Sequence, residues 1–365
     1  MSLFDSMYAE DHEQVVFSAD RAAGLKAIIA IHDTTLGPSL GGIRMRDYAN
    51  EAEALTDALR LAQAMTFKAA LAGLDYGGGK AVVIGDHATT QREALFRALG
   101  RAVESLAGRY IPTEDMGTTT ADIERVRKES RFGVGRDEVF GGGGDPSPMT
   151  AWGIFCGLRA CLEEVDGTAE FRGRTVAVQG LGKVGYSLAR YLHEAGANLI
   201  VADVDATRAQ KAAVELQARV VSPEEILFQP CDILAPCAAG AIFTRDTIPR
   251  LRCRLIGGGA NNQLLTDEDG DALFARGLFY APDFALNAGG LINVADELGP
   301  GGYRRERAKA KTEAIYTTLK TLLAEAKRRQ VPPHRLAVTL AQERIQAVRN
   351  LRRLHLGTRA ERRDE

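Results

Sequence analysis

Apolar residues in QVVFSADRAAGLKAIIAIHD (14–33) fall into two short runs on either side of Ala23-Gly24, the pattern of a strand, a tight turn and a second strand. From Glu51 to Leu71, EAEALTDALRLAQAMTFKAAL repeats its apolar positions at steps of three and four among strong helix formers. Gly73 then follows as a stop, so a helix is expected. Next come a strand at 81–85 (AVVIG), a helix over about 91–107, a short strand at Tyr110-Ile111 and a helix over about 120–128. The segment 139–153, VFGGGGDPSPMTAWG, combines a four-glycine run with two prolines and reads as a hinge. Beyond it, strands are expected at 174–180, 198–203, 231–237, 254–258 and 277–283. A charged helical stretch follows, from Gly302 to Arg329, then a break at VPPHR and a last helix over 336–354.

Strands alternating with helices on both sides of the hinge predict an α/β protein of two domains, at 1–140 and 141–330. The C-terminal helix, within 331–356, can return to the first domain, and 357–365 reads as a frayed tail. A chain of 365 residues is also longer than single hydrophobic cores usually grow.

Composition narrows the function classes by exclusion. Apolar residues make up 45% and charged residues 26%, so the chain is globular rather than disordered. A net charge of -2 gives no electrostatic footprint for nucleic acid or an anionic membrane, which leaves a small molecule as the expected partner. The acidic N-terminus is unlike a signal peptide, and no apolar run approaches the ~20 residues of a spanning helix. A cytoplasmic address is expected. Five cysteines without a C-x-x-C pair suggest reduced thiols and no metal site. Glycines cluster at 77–79, 141–144, 257–259 and 289–290, as backbone-shaping loops do.

One glycine pattern carries chemistry by its context. Strand TVAVQ runs into Gly180-Leu181-Gly182-Lys183-Val184-Gly185, and the helical pattern YSLARYLHEAG follows. This G-x-G-x-x-G allows a tight turn, close approach of a pyrophosphate and close helix–strand packing, and the helix N-terminus offers free N–H donors to phosphate. The next strand ends in Asp203, where a Rossmann-type fold places an acid on the adenosine ribose. A carboxylate there repels a 2′-phosphate, so NAD is expected rather than NADP, with nearby Arg208 read as an exposed helix charge.

The first half supplies candidate catalytic groups. Stepping by three and four from Lys68 reaches Met65, Leu61 and Ala58, so this lysine shares an apolar stripe; such a lysine often snorkels to solvent. Lys80 stands between Gly77-Gly78-Gly79 and the apolar AVVIG. Two amines facing one cavity lower each other's proton affinity, and desolvation lowers it further, leaving one able to act as a base. Asp115, in YIPTEDMGTT, is a third candidate, with a helix-capping or loop acid as the alternative.

Taken together, PSLGGIRM (38–45), MTFKAALAGLDYGGGK (65–80), EDMGTT (114–119), GDPSPMTAWG (144–153), GGGANNQL (257–264) and NAGGLINVADELG (287–299) resemble the glutamate/leucine/phenylalanine/valine dehydrogenase family over nearly the whole chain, with the leucine enzymes the best match. The resemblance implies oxidative deamination of an L-amino acid to a 2-oxo acid and ammonia, in a cleft between a catalytic, oligomerising domain and a Rossmann-type domain. By this likeness Lys68 binds the substrate carboxylate, Lys80 activates the attacking water and Asp115 moves protons at the amino group. Gly41, Gly42, Met65 and Asn262 are implied substrate contacts, and Thr150 and Asn261 are implied cofactor contacts. Leu40, Thr113, Leu291 and Val294 line the implied side-chain pocket. The glycines at 77–79 are expected to leave bare backbone against substrate and water.

Glutamate-specific relatives carry a lysine where this chain has Leu40, so a substrate with a charged side chain is disfavoured. A branched-chain amino acid is expected, with phenylalanine or another aromatic amino acid as the alternative within the class. A non-catalytic NAD-binding regulator is the alternative outside it. A homo-oligomer, often an octamer, is implied.

Overall fold

In the computed structural model, which describes residues 3–351, Gln14–Asp20 (β1) and Leu25–Asp33 (β2) form the expected hairpin, with Gln14 opposite Ile31 and Asp20 opposite Leu25. Three further strands complete this sheet: Ser39–Arg46 (β3), Gly77–Ile84 (β4) and Tyr110–Glu114 (β5), in the order β1-β2-β4-β3-β5. The hairpin side is antiparallel, whereas β4, β3 and β5 run parallel.

β3 was not among the expected strands, because its two glycines and mixed polarity hide a two-residue period. The start of β4 also differs from expectation. The three glycines do not precede the strand but form its first three residues. A β-carbon at Gly77 would strike the Asp33 carbonyl, one at Gly78 the Thr66 amide, and one at Gly79 the Ser39 hydroxyl and the Tyr110 ring. The glycines therefore let β4 lie against its neighbours and against helix Glu51–Leu71; they are not part of the cavity wall.

That helix begins at Asn50, whose side chain accepts the Glu53 amide at 2.9 Å, and Glu51 and Glu53 complement the positive end of its dipole. Its Ala54, Ala58, Leu59 and Ala62 pack on Ile28, Ala30 and Val82 at one face of the sheet. Helices Arg92–Ser105 and Thr120–Arg127 cover the other face through Leu95, Leu99, Ile123 and Val126.

Helix Ser147–Asp166 starts inside the segment expected to be a hinge. Only residues 141–146, the glycine run and the two that follow it, lack regular structure; Pro148 is tolerated in the first turn of the helix, where its missing N–H would have no helical partner. A second sheet follows, of Thr175–Gln179 (β6), Asn198–Ala202 (β7), Arg219–Val220 (β8), Ile233–Pro236 (β9), Leu255–Ile256 (β10) and Phe279–Tyr280 (β11). All its pairings are parallel, and the order β8-β7-β6-β9-β10-β11 reverses direction between β6 and β9. This is the doubly wound arrangement, with its ligand crevice at the point of reversal.

The charged stretch after Gly302 divides at Ala314 into helices Arg305–Glu313 and Ile315–Arg329. Helix Pro333–Leu351 then lies along Glu51–Leu71, packing Ala341 and Ile345 on Ala70 and Leu36. Arg344 Nη1 donates to the carbonyls of Ala70 and Leu74, each at 2.8 Å, and Arg349 reaches Asp33 at 2.6 Å. The remainder of the expected C-terminal helix and the tail at 357–365 lie outside the described residues. An apolar cluster running from Leu40, Ile111 and Val134 to Leu286, Leu291 and Val294 joins the two layers of the molecule.

Packing at β4 yields a direct test. Gly78→Ala forces a methyl into the backbone of the Glu51–Leu71 helix, so stability should fall by about 3 kcal/mol. The midpoint of thermal unfolding measures it, and an unchanged midpoint would refute the packing role.

Candidate functional site

Strand alternation puts Lys80 on the same side of β4 as Gly78 and Val82, facing helix Glu51–Leu71. Lys68, near the end of that helix, faces the same space. Asp115 lies one residue beyond β5, in a turn held by Thr118, whose hydroxyl accepts the Asp115 amide at 2.9 Å and donates to the Ile43 carbonyl at 2.8 Å. A side chain at Gly42 on β3 would collide with Asp115 and crowd the Lys80 amine, so the glycine is what lets those two groups meet. Gly41 serves packing instead, since a β-carbon there would strike the Gly79 carbonyl. Buried Tyr110 donates to the Gly41 carbonyl at 2.9 Å and accepts the Ala81 amide at 3.1 Å, bracing both strands beside the lysine.

These groups open into a cavity of about 270 Å³ between the two sheets. Lys68, Lys80, Asp115, Thr113, Met65 and Gly42 line it from the first sheet and its helix. Asn261, Asn262, Thr150, Val184, Leu291 and Val294 line it from the other side. Leu40 does not reach the wall; it is fully buried in the apolar cluster behind it. Thr113 contributes a buried hydroxyl with no hydrogen-bond partner.

Lys80 Nζ donates to Asp115 Oδ2 at 2.6 Å, and Arg44 Nε, from β3, donates to the same oxygen at 3.0 Å. Burial works to raise the Asp115 carboxyl, but Lys80 and Arg44 outweigh it and hold the group well below the usual carboxylate range. Burial pushes the Lys80 amine down, against the pull of Asp115 and with the help of Arg44. Lys68 is pushed down to about 8, by burial first and also by Lys80, with Asp283 and Asp115 opposing. Its amine spans the cleft to Asn261 Oδ1 at 3.2 Å, and Asn287 Nδ2 donates to that same oxygen at 2.8 Å. Each amine thus has an oxygen partner, and both face one cavity.

The sequence reading missed Arg44 and Asp283. Arg44 lies two residues beyond Gly42, hence on the same face of β3, which was a usable signal only once β3 was known to be a strand. Asp283 follows β11, accepts the amides of Gln263 at 3.0 Å and Phe284 at 2.7 Å, and is raised by its burial.

Across the cleft, the glycine loop separates into positions with different reasons. Gly180 has φ +88°, and a side chain there would press on Ala238; one at Gly185 would enter the Gly180 carbonyl. At Gly182 a β-carbon would meet no protein atom, so nothing in the fold requires that glycine. The bare position, at the N-terminus of helix Lys183–Glu194, fits a phosphate group approaching the helix amides. Asp203, just past β7, accepts the Leu181 amide at 2.6 Å and the Asp205 amide at 2.8 Å. Leu181 is therefore occupied on both counts, its side chain in the core and its amide on Asp203. Lys183 reaches back to Asp145 at 3.0 Å. Arg208 pairs with Asp205 at 3.4 Å on the exposed helix surface.

Comparison with known proteins finds relatives over nearly the whole chain. Residues 11–131 match the family model described as Glu/Leu/Phe/Val dehydrogenase, dimerisation domain, and residues 141–207 and 201–353 match that of glutamate/leucine/phenylalanine/valine dehydrogenase. The chain is 49% identical over 352 residues to a leucine dehydrogenase of Bacillus subtilis (strain 168), covering 96% of each. It is 44% identical over 356 residues to a phenylalanine dehydrogenase of Thermoactinomyces intermedius, covering 97% of each. The crystal structure of L-tryptophan dehydrogenase from Nostoc punctiforme superposes with a TM-score of 0.81 at 41% identity, over 95% of this chain and 100% of that one. With matches of this extent in both halves, the chain belongs to the glutamate/leucine/phenylalanine/valine dehydrogenase family of amino acid dehydrogenases.

Proposed function

We propose that this protein catalyses the NAD-dependent oxidative deamination of a branched-chain L-amino acid, and the reverse reductive amination. What carries the reading is the convergence of Lys68, Lys80 and Asp115 on one cavity facing the glycine loop. The dinucleotide, when bound, supplies the hydride acceptor; Gly182 and the amides of its helix would take the pyrophosphate and Asp203 the ribose. Lys68, in its charged form, holds the substrate carboxylate. Lys80 takes a proton from the water that adds to the imino acid, and Asp115 passes protons to and from the nitrogen until ammonia leaves. Asn262 and Asn261 border substrate and cofactor from the second sheet.

Substrate choice rests on the wall made by Thr113, Leu291 and Val294. The cations lining the cavity, Arg44, Lys68 and Lys80, all have partners near the reacting end, so a side-chain carboxylate would be buried unpaired. Leucine, valine and isoleucine differ there by only about 1–3 kcal/mol. Identities above 40% to phenylalanine and tryptophan enzymes make aromatic amino acids the competing outcome of a substrate panel.

A homo-oligomer, up to an octamer, belongs to the same proposal, as does a cytoplasmic address. Edge strand β1, with Phe17 56% exposed, offers an unpaired edge to a second copy.

NADH formation with leucine, valine or isoleucine at alkaline pH tests the reading; its absence with every aliphatic and aromatic L-amino acid would point to a non-catalytic NAD-binding regulator. Lys80→Ala should lower kcat by about a hundredfold or more while NAD binding, followed by fluorescence titration, persists.

The Lys68 amine predicts a pH dependence of defined sign. Its proton affinity is below that of a free lysine, so the charge that binds carboxylate is present below about pH 8 and lost above it. KM for the amino acid should therefore rise above that pH in the wild type. In Lys68→Ala it should be high throughout, with this dependence removed.

Asp203→Asn keeps an oxygen for the Leu181 amide but removes the charge, and should narrow the preference for NAD over NADP in kcat/KM. Unchanged discrimination would place the ribose contact elsewhere.

A further inference from the structure

Among the cations lining the cavity, Arg44 has no role in the proposed mechanism. Its guanidinium is two-ended: Nε donates to Asp115 at 3.0 Å, while Nη1 reaches Asp57 Oδ2 at 3.2 Å on helix Glu51–Leu71. Tyr48 donates to the same Asp57 oxygen at 2.7 Å. An unbroken chain thus runs from Tyr48 through Asp57, Arg44 and Asp115 to Lys80, tying β3, β4, the turn after β5 and the helix to one another. Its members are shielded: the side chains of Arg44, Asp57 and Lys80 are 12%, 18% and 5% exposed. In such surroundings a charge acts on its neighbours far more strongly than in water.

We infer that Arg44 is a positioning residue: anchored at its far end by Asp57 and Tyr48, it holds the Asp115 carboxylate against the Lys80 amine and keeps a fixed positive charge beside the pair. The inference rests on the deamination reading. Without Arg44, Asp115 Oδ2 would lose its second donor and keep Lys80 as its charged partner, so the pair stays in contact while its orientation toward the cavity loosens. Lysine cannot replace it fully, because an ammonium on a flexible stem does not fork between two carboxylates.

The charged groups that face Lys80 are Arg44 from β3, Asp115 beyond β5, and Asp57 and Lys68 from the helix. Glu114 lines the cavity nearby, Asp283 lies across the cleft nearest Lys68, and the Tyr110 hydroxyl is engaged by Gly41 and Ala81. Arg44 and Asp57 act on the amine with opposite sign, Arg44 favouring its neutral form and Asp57 its charged form. That opposition supplies a test which general loosening of the fold cannot imitate.

The experiment is the pH profile of kcat/KM for the best amino acid substrate. Lys80 must be unprotonated to accept a proton, so activity falls on the acid side as the amine becomes charged. Arg44→Met should move that limb to higher pH by about one unit and lower kcat at least tenfold. Asp57→Asn should move it the other way, to lower pH. Arg44→Lys, which restores a charge, should return the limb toward its wild-type position with kcat still reduced.

A limb that stays in place in Arg44→Met, or shifts of the same sign in Arg44→Met and Asp57→Asn, would overturn the inference. Where Arg44→Met is too slow to profile, the pH dependence of Lys80 labelling by an amine-reactive reagent, located by peptide mass spectrometry, reads the same shift. If Arg44→Met does not fold, Arg44→Lys decides: a kcat lowered at least tenfold with the limb near its wild-type position supports the inference, and an unchanged kcat overturns it. Should the wild type form no NADH with any amino acid, the deamination reading fails, while the labelling profiles still decide the role of Arg44.

Discussion

An amine and a carboxylate held 2.6 Å apart inside the protein set the terms for everything around them. Removing charges from water costs more than a bare ion pair usually returns, so a buried pair persists only where further donors and a rigid frame complete it. Lys80 and Asp115 are completed in that way by Arg44, and Arg44 in turn by Asp57 and Tyr48. The burial that makes the pair costly is also what depresses the proton affinity of the amine, as the proposed role of Lys80 as a base requires.

The frame is built largely by the absence of side chains. Gly77, Gly78 and Gly79 bring β4 up against the Asp33 carbonyl, the backbone of the Glu51–Leu71 helix and the Tyr110 ring, and Gly42 leaves the volume in which Lys80 and Asp115 meet. Tyr110 then spends its buried hydroxyl on Gly41 and Ala81, locking the two strands that carry the machinery. Close backbone packing of this kind has little freedom to relax, which suits groups whose separation matters to a few tenths of an ångström.

The second sheet contributes differently. Its loops stand at the C-terminal ends of parallel strands, near the reversal between β6 and β9, and they present backbone and side-chain amides together with the carboxyl groups of Asp203 and Asp283. Contact across the cleft includes Lys68 to Asn261 and the Glu297 carboxylate, which accepts the Gly135 amide at 3.1 Å and the Arg136 amide at 3.3 Å. Helix Pro333–Leu351 adds a further link by returning to Asp33 and the Glu51–Leu71 helix.

Much of this was legible in the residues alone. The 3–4 spacing that aligned Lys68 with Met65 and Leu61, the hairpin about Gly24, and the strand–glycine–helix run ending in Asp203 are patterns between near neighbours, where backbone sterics and local burial govern the outcome. Elements whose burial comes from distant partners were not legible: β3, interrupted by two glycines and flanked on both sides by strands, and the first turns of Ser147–Asp166, masked by prolines. The role of Gly77–Gly79 was misassigned for the same cause, since only the folded chain shows the Thr66 amide and the Asp33 carbonyl pressed against them. Sequence therefore determined which chemical groups were present and which short segments would be helix or strand. Tertiary structure alone decided that Arg44 and Asp57 would join Lys80 and Asp115 and that Leu40 would sit behind the wall, because convergence depends on packing between segments far apart in the chain.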